Sequence, residues 1–112
     1  MGASNFTDIY VGKGTPQEAF RELFDQAVRE YGYNPYNGTI STTSLEKVLE
    51  LPPRKDIGKF INNLWETNKI GKWETFCIEV KGVALTRLKT RRPDLKGKKG
   101  IRGYYFVGLA AQ

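Results

Sequence analysis

Ile101 to Ala110 reads IRGYYFVGLA, an almost unbroken apolar run near the C-terminus. A strand with one wet face alternates polar and apolar side chains, whereas a strand apolar at nearly every position is buried on both faces. The run therefore predicts a strand in the middle of a sheet, and this is the strongest single constraint on the fold.

The remaining elements are read from periodicity and capping chemistry. Phe6 to Val11 is a short β-prone stretch that Gly12-Lys13-Gly14 ends. Thr15-Pro16-Gln17-Glu18 then combines an N-cap Thr, Pro at the first helical position and Glu three residues after the cap. Phe20, Leu23, Phe24, Ala27, Val28 and Tyr31 follow at helical spacing, which predicts a helix over 16–31 that stops at Gly32. Tyr33 to Gly38 is turn chemistry, and Thr39 to Thr42 reads as a short strand. Thr43-Ser44-Leu45-Glu46 resembles a second capping box and predicts a short helix with Leu45, Val48 and Leu49 inward, closed by Pro52-Pro53. Ile57, Phe60, Ile61, Leu64 and Trp65 form another helical stripe, ending near Asn68 or Gly71. Trp73 to Val80 reads as a half-buried strand, Val83 to Leu88 as a further strand, and Thr90 to Gly100 as an exposed loop. The expected architecture is α+β, one domain over residues 1–112. An antiparallel sheet of about four to five strands would pack against two main helices in a single-layer sandwich.

At 112 residues such a domain can bury a core unaided. The first residues lack a basic region followed by an apolar run, and no stretch approaches the roughly 20 apolar residues of a membrane span, so a cytoplasmic protein is expected. Asn5-Phe6-Thr7 and Asn37-Gly38-Thr39 match the glycosylation pattern but are read as chance in an unsecreted chain. Cys77 is the single cysteine, which fits a reducing compartment and predicts a buried, inert thiol.

Charge is the feature that speaks to function. Residues 1–80 hold nine Lys/Arg and eleven Asp/Glu, a net of −2, while residues 81–112 hold nine Lys/Arg and one acid, a net of +8. Arg87, Lys89, Arg91, Arg92, Lys96, Lys98, Lys99 and Arg102 crowd one segment, and Tyr104 and Tyr105 follow directly. Cations neutralise phosphates and exposed rings stack on bases, so this segment is the candidate anion-binding surface, with single-stranded nucleic acid as the natural ligand. A second candidate is Gly12-Lys13-Gly14-Thr15, where amides at a helix start would grip the phosphate of a nucleotide. The chain has no histidine, which removes the commonest general base and the zinc sites made of His and Cys. A metal-dependent nuclease would have to rely on carboxylates such as Asp8 with Glu74 or Glu79. The expectation is a binding protein with no catalytic residue, metal or cofactor. Trp65 or Trp73 would mark a homodimer surface if exposed.

Two resemblances add context. Ile9-Tyr10-Val11-Gly12 and Arg102-Gly103-Tyr104-Tyr105-Phe106-Val107 resemble the paired signatures of the RNA-recognition motif, with Tyr105 where a small residue is usual and Leu109 where an aromatic is usual. The second signature comes far later than in that family and no helix follows it, so only the surface chemistry transfers. Tyr10 and Tyr104 would be stacking candidates if their strands were neighbours. More of the chain resembles small accessory proteins of tailed bacteriophages and prophages. The stretches that carry this likeness are Met1 to Thr7, Gly12-Lys13, Glu18-Ala19-Phe20, Glu30-Tyr31-Gly32, Tyr36 to Ile40 and Tyr105 to Ala110. That resemblance implies a genomic context and no catalytic residue. It suggests a protein of the infected host's cytoplasm that contacts nucleic acid, or a host complex that handles it, such as an anti-CRISPR-like inhibitor. A nucleotide-sequestering protein and a virion or assembly protein are the other expectations.

Overall fold

The computed structural model describes residues 3–32 and 39–111, and the expected turn at Tyr33–Gly38 lies outside them. Strand β1 (Ala3–Gly12) leads into helix α1 (Pro16–Tyr31), a 3₁₀ turn at Ile40–Thr42 and strand β2 (Ser44–Glu50). Helix α2 (Ile57–Glu66), strand β3 (Glu74–Val80), helix α3 (Gly82–Lys89), a 3₁₀ turn at Pro93–Leu95 and strand β4 (Arg102–Ala111) follow. The α+β class holds. Among the described residues the strands form one four-stranded sheet in the order β1-β4-β3-β2, so the apolar last strand lies inside it.

β4 pairs antiparallel with β1 from Ala3↔Ala111 to Gly12↔Arg102, and antiparallel with β3 from Thr75↔Gly108 to Val80↔Gly103. Its alternate side chains feed two cores. Tyr104 and Phe106 meet Ala19, Ala27 and Phe20 of α1 on one face. Tyr105 and Val107 turn to the other face, under α2 and α3. β3 divides likewise, with Cys77 on the α1 side and Phe76, Ile78 and Val80 opposite. Helices therefore cover both faces, where one covered face was expected. Both inner strands are apolar on both sides, and each apolar face needs a layer over it. Burial also pushes the Cys77 thiol up to about 12, which leaves no thiolate near neutral pH.

Three segments depart from their expected state, each because tertiary pairing outweighs a local signal. Ser44 to Glu50 is a strand, parallel to β3, so the sheet is mixed. The hydroxyl of Thr43 does not cap a helix: it donates to the Ile40 carbonyl at 2.8 Å and meets the Thr75 hydroxyl. Seven residues ahead of Pro52 are too few for a stable lone helix, whereas β3 offers a ladder of partners. The 3₁₀ turn at Ile40–Thr42, closed by the Thr43 amide on the Ile40 carbonyl, replaces the expected short strand there. Val83 to Leu88 is helical because Ala84, Leu85 and Leu88 share a helical face that packs on Val80, Ile101 and Tyr105. Gly103 admits that face: a Cβ there would lie 2.8 Å from Leu85 Cδ1.

The most tightly enclosed of the described glycines is Gly108, where a Cβ would lie 2.5 Å from the Glu74 carbonyl oxygen and 2.7 Å from the Phe6 ring. The carbonyl belongs to the β3 backbone and cannot rotate away. Gly108→Ala should cost about 1–3 kcal/mol in urea unfolding, whereas stability equal to the unsubstituted chain would show the strands less tightly packed than described here.

Candidate nucleic-acid interface

The basic segment begins in the last turn of α3, where Arg87 and Lys89 sit favourably near the helix C-terminus. It then wraps past the end of β1. Arg92 is the pin: its guanidinium donates to both Asp94 oxygens, at 3.0 and 2.9 Å, and to the Val11 carbonyl at 3.3 Å. The same bond holds the Asp94 carboxyl below the usual carboxylate range. Leu95 anchors the turn by packing against the core around Val11, Val80, Leu88 and Ile101. Lys96, Lys98 and Lys99 follow on the exposed loop before β4.

Of the eight predicted cations, the fold therefore neutralises two with its own acids. Arg92 is held by Asp94, and Arg102 makes a two-pronged bond to Glu79 at 3.0 and 3.1 Å while lying over the Tyr104 ring. Arg87, Lys89, Arg91, Lys96, Lys98 and Lys99 are exposed and form no ion pair with the described residues.

The aromatic half of the expected surface is corrected. Tyr10 and Tyr104 are register partners on neighbouring strands, and their rings stack with centroids 5.7 Å apart. They stack on each other, beneath α1. Tyr104 is 0% exposed, its hydroxyl donates to the Gly14 carbonyl at 2.8 Å, and burial pushes it up to about 12. No face of Tyr104 is open to a base. Tyr105 points to the opposite face and stays half-buried.

The Gly12-Lys13-Gly14-Thr15 turn is likewise occupied by the protein's own groups. The Tyr10 hydroxyl accepts from the Gly14 amide at 3.0 Å, and the two glycines leave room for that hydroxyl. The Thr15 amide donates to the Glu18 carboxylate at 3.0 Å, and the Glu18 amide to the Thr15 hydroxyl at 3.2 Å. The capping box thus places a carboxylate where a phosphate would have to sit, with the Gly14, Thr15 and Glu18 amides already used. Lys13 remains exposed beside it.

The carboxylates named for metal chemistry do not converge. Asp8 is level with Phe106 and Glu79 with Tyr104, so β4 separates them, and the Glu79 carboxylate is engaged by Arg102. Glu74 accepts from the Gly71 amide at 2.7 Å. Among the described residues no group of three or more His, Cys, Asp or Glu could hold a metal ion. Trp73 is exposed, whereas Trp65 packs against the α2 core. No helix of the described residues is long and apolar enough to cross a membrane.

The fold also assembles a site that no single stretch of sequence signals. A groove of about 900 Å³ lies where the end of β2, the start of α2 and the start of α3 meet. Arg54, Lys55, Lys81 and Arg87 line it together with Tyr105. Its cations come from two separate pieces of chain, the loop after β2 and helix α3 with its N-cap, which the parallel pairing of β2 with β3 brings together. Comparison with protein-family models, with curated proteins and with solved structures found no match.

Asp8, on the opposite face beside α1, supplies a stability test. Burial raises its carboxyl above the ordinary range, and nearby Glu30 pushes the same way. A carboxyl raised by folding favours the fold while protonated and loses that contribution as pH rises through its folded value. Asp8→Asn should therefore melt at a higher temperature than the parent at pH 7, with the gap closing toward about pH 3. A variant less stable at pH 7 would mean that ionised Asp8 has a favourable partner.

Proposed function

We propose that this chain is a phage-type accessory protein that acts by binding, without catalysis, and that its ligand is single-stranded nucleic acid. The single observation behind this reading is the set of six exposed cations, Arg87, Lys89, Arg91, Lys96, Lys98 and Lys99, that form no ion pair with an acid of the described fold. They follow one another along one short stretch, and Asp94, the acid among them, is already held by Arg92. Such a strip attracts a polyanion by releasing its counterions, a mechanism that is strong, salt-sensitive and largely blind to sequence. Tyr10 and Tyr104 are turned inward, so attraction to the backbone has to supply most of the affinity. In an infected cell the same strip would let the protein occupy the nucleic-acid path of a host complex, which is how a cytoplasmic defence inhibitor of this size would act.

Replacing Lys96, Lys98 and Lys99 together with Glu tests the strip, because all three are exposed and the fold should be kept. Fluorescence anisotropy with a labelled single-stranded oligonucleotide should show at least about a tenfold weaker affinity. The slope of log affinity against log salt should flatten by roughly 2, from about 0.7 per phosphate contact on a single strand. Equal affinity and equal slope in the variant would overturn the proposal.

A further inference from the structure

The groove between β2, α2 and α3 carries more than bulk charge. Its volume, about 900 Å³, lies in the range of small-molecule sites. Tyr105 presents a half-buried ring there, flanked by Leu51, Ile57 and Ala84, and Val83 stands on the rim at 70% exposed. The acids of the groove are already engaged: Glu50 pairs with Lys81 at 2.9 Å, and Asp56 caps α2 by accepting from the Lys59 amide at 3.0 Å. Arg54, Lys55 and Arg87 have no ion partner among the described residues. The Tyr105 hydroxyl makes no hydrogen bond with them either. Arg54 also holds a left-handed backbone, φ 64°, a conformation that disfavours any residue with a side chain.

These features ask for two things in one ligand. An aromatic floor with apolar flanks suits a flat ring, and two guanidinium groups with an ammonium suit a phosphate. Inorganic phosphate would leave the floor empty, and an acidic peptide would leave the ring without a planar partner. We infer that the groove binds a nucleotide, with its phosphate among Arg54, Lys55 and Arg87 and its base against Tyr105. The inference rests on the reading of the basic strip, because Arg87 belongs to both, and it names where one nucleotide is seated. That nucleotide is either free in solution or the end of a strand lying along the strip.

The test titrates the full chain with the four nucleoside 5′-monophosphates, with inorganic phosphate and with a single-stranded oligonucleotide, following the amides of Gly82, Val83 and Tyr105 by NMR. Saturable shifts at these amides with a monophosphate, weakened about tenfold or more in the double variant R54A/K55A, support the site. Both residues are exposed, so that variant should keep its fold. If the monophosphate binds as tightly as the oligonucleotide, the ligand is a free nucleotide. If the oligonucleotide binds much more tightly and loses affinity in R54A/K55A, it is a strand end. Inorganic phosphate saturating the same shifts at the same concentration would overturn the inference, since the base would then contribute nothing. So would the absence of groove shifts, or binding unchanged in R54A/K55A. An oligonucleotide that binds without groove shifts, and is lost in the Lys96, Lys98 and Lys99 charge reversal, sinks the groove and leaves the strip standing. Monophosphate binding with no effect of that charge reversal on the oligonucleotide does the reverse.

Discussion

The placement of β4 between β1 and β3 is the constraint on which the rest of the structure depends. An inner strand with large side chains on both sides needs a layer of helix over each face. Tyr104 and Phe106 draw α1 onto one face, and Tyr105 and Val107 receive α2 and α3 on the other. The chain meets this demand with a parallel β2–β3 pair, joined through α2, and with α3 in the connection from β3 to β4.

That same placement decides what is left for function. Rings that would make a stacking platform on an open sheet are enclosed here, and the Tyr10–Tyr104 pair fastens the turn before α1 through both groups of Gly14. The helix start expected to cradle a phosphate is closed by its own capping box. What remains outside is charge that the core cannot accept, namely the cations from the end of α3 through the loop before β4, with Arg92 and Leu95 fixing the loop beneath them. On the α1 side the roles thus separate: Tyr10, Tyr104 and Phe106 make the fold, and the cations stay at the surface.

The legible parts of the sequence were those whose signal is local and redundant. Helix α1 carried its cap, its Pro and its apolar stripe together, and its observed span matches the expected one. The inner position of β4 followed from composition alone. Ser44 to Glu50 misled because Thr43 and Glu46 imitate a capping box, while the partner that makes the segment a strand lies some thirty residues away in β3. Val83 to Leu88 fits a period of two and a period near four equally well, and only Gly103, across the sheet, admits its helical face. At the surface, the density of Lys and Arg was visible but their partners were not. Asp94 is local to Arg92, whereas Glu79 reaches Arg102 only through the β3–β4 register. The groove was hidden for the same reason, since Arg54 and Lys55 meet Lys81 and Arg87 of α3 only once β2 and β3 pair.

The central claim is that six exposed cations without an ion pair form the surface that meets an anionic partner. The most direct measurement is the salt dependence of oligonucleotide binding by the unaltered protein. Six phosphates neutralised on a single strand predict a log–log slope of about −4, with association strong in dilute salt. A slope near zero, or no association at the lowest salt, would contradict the account.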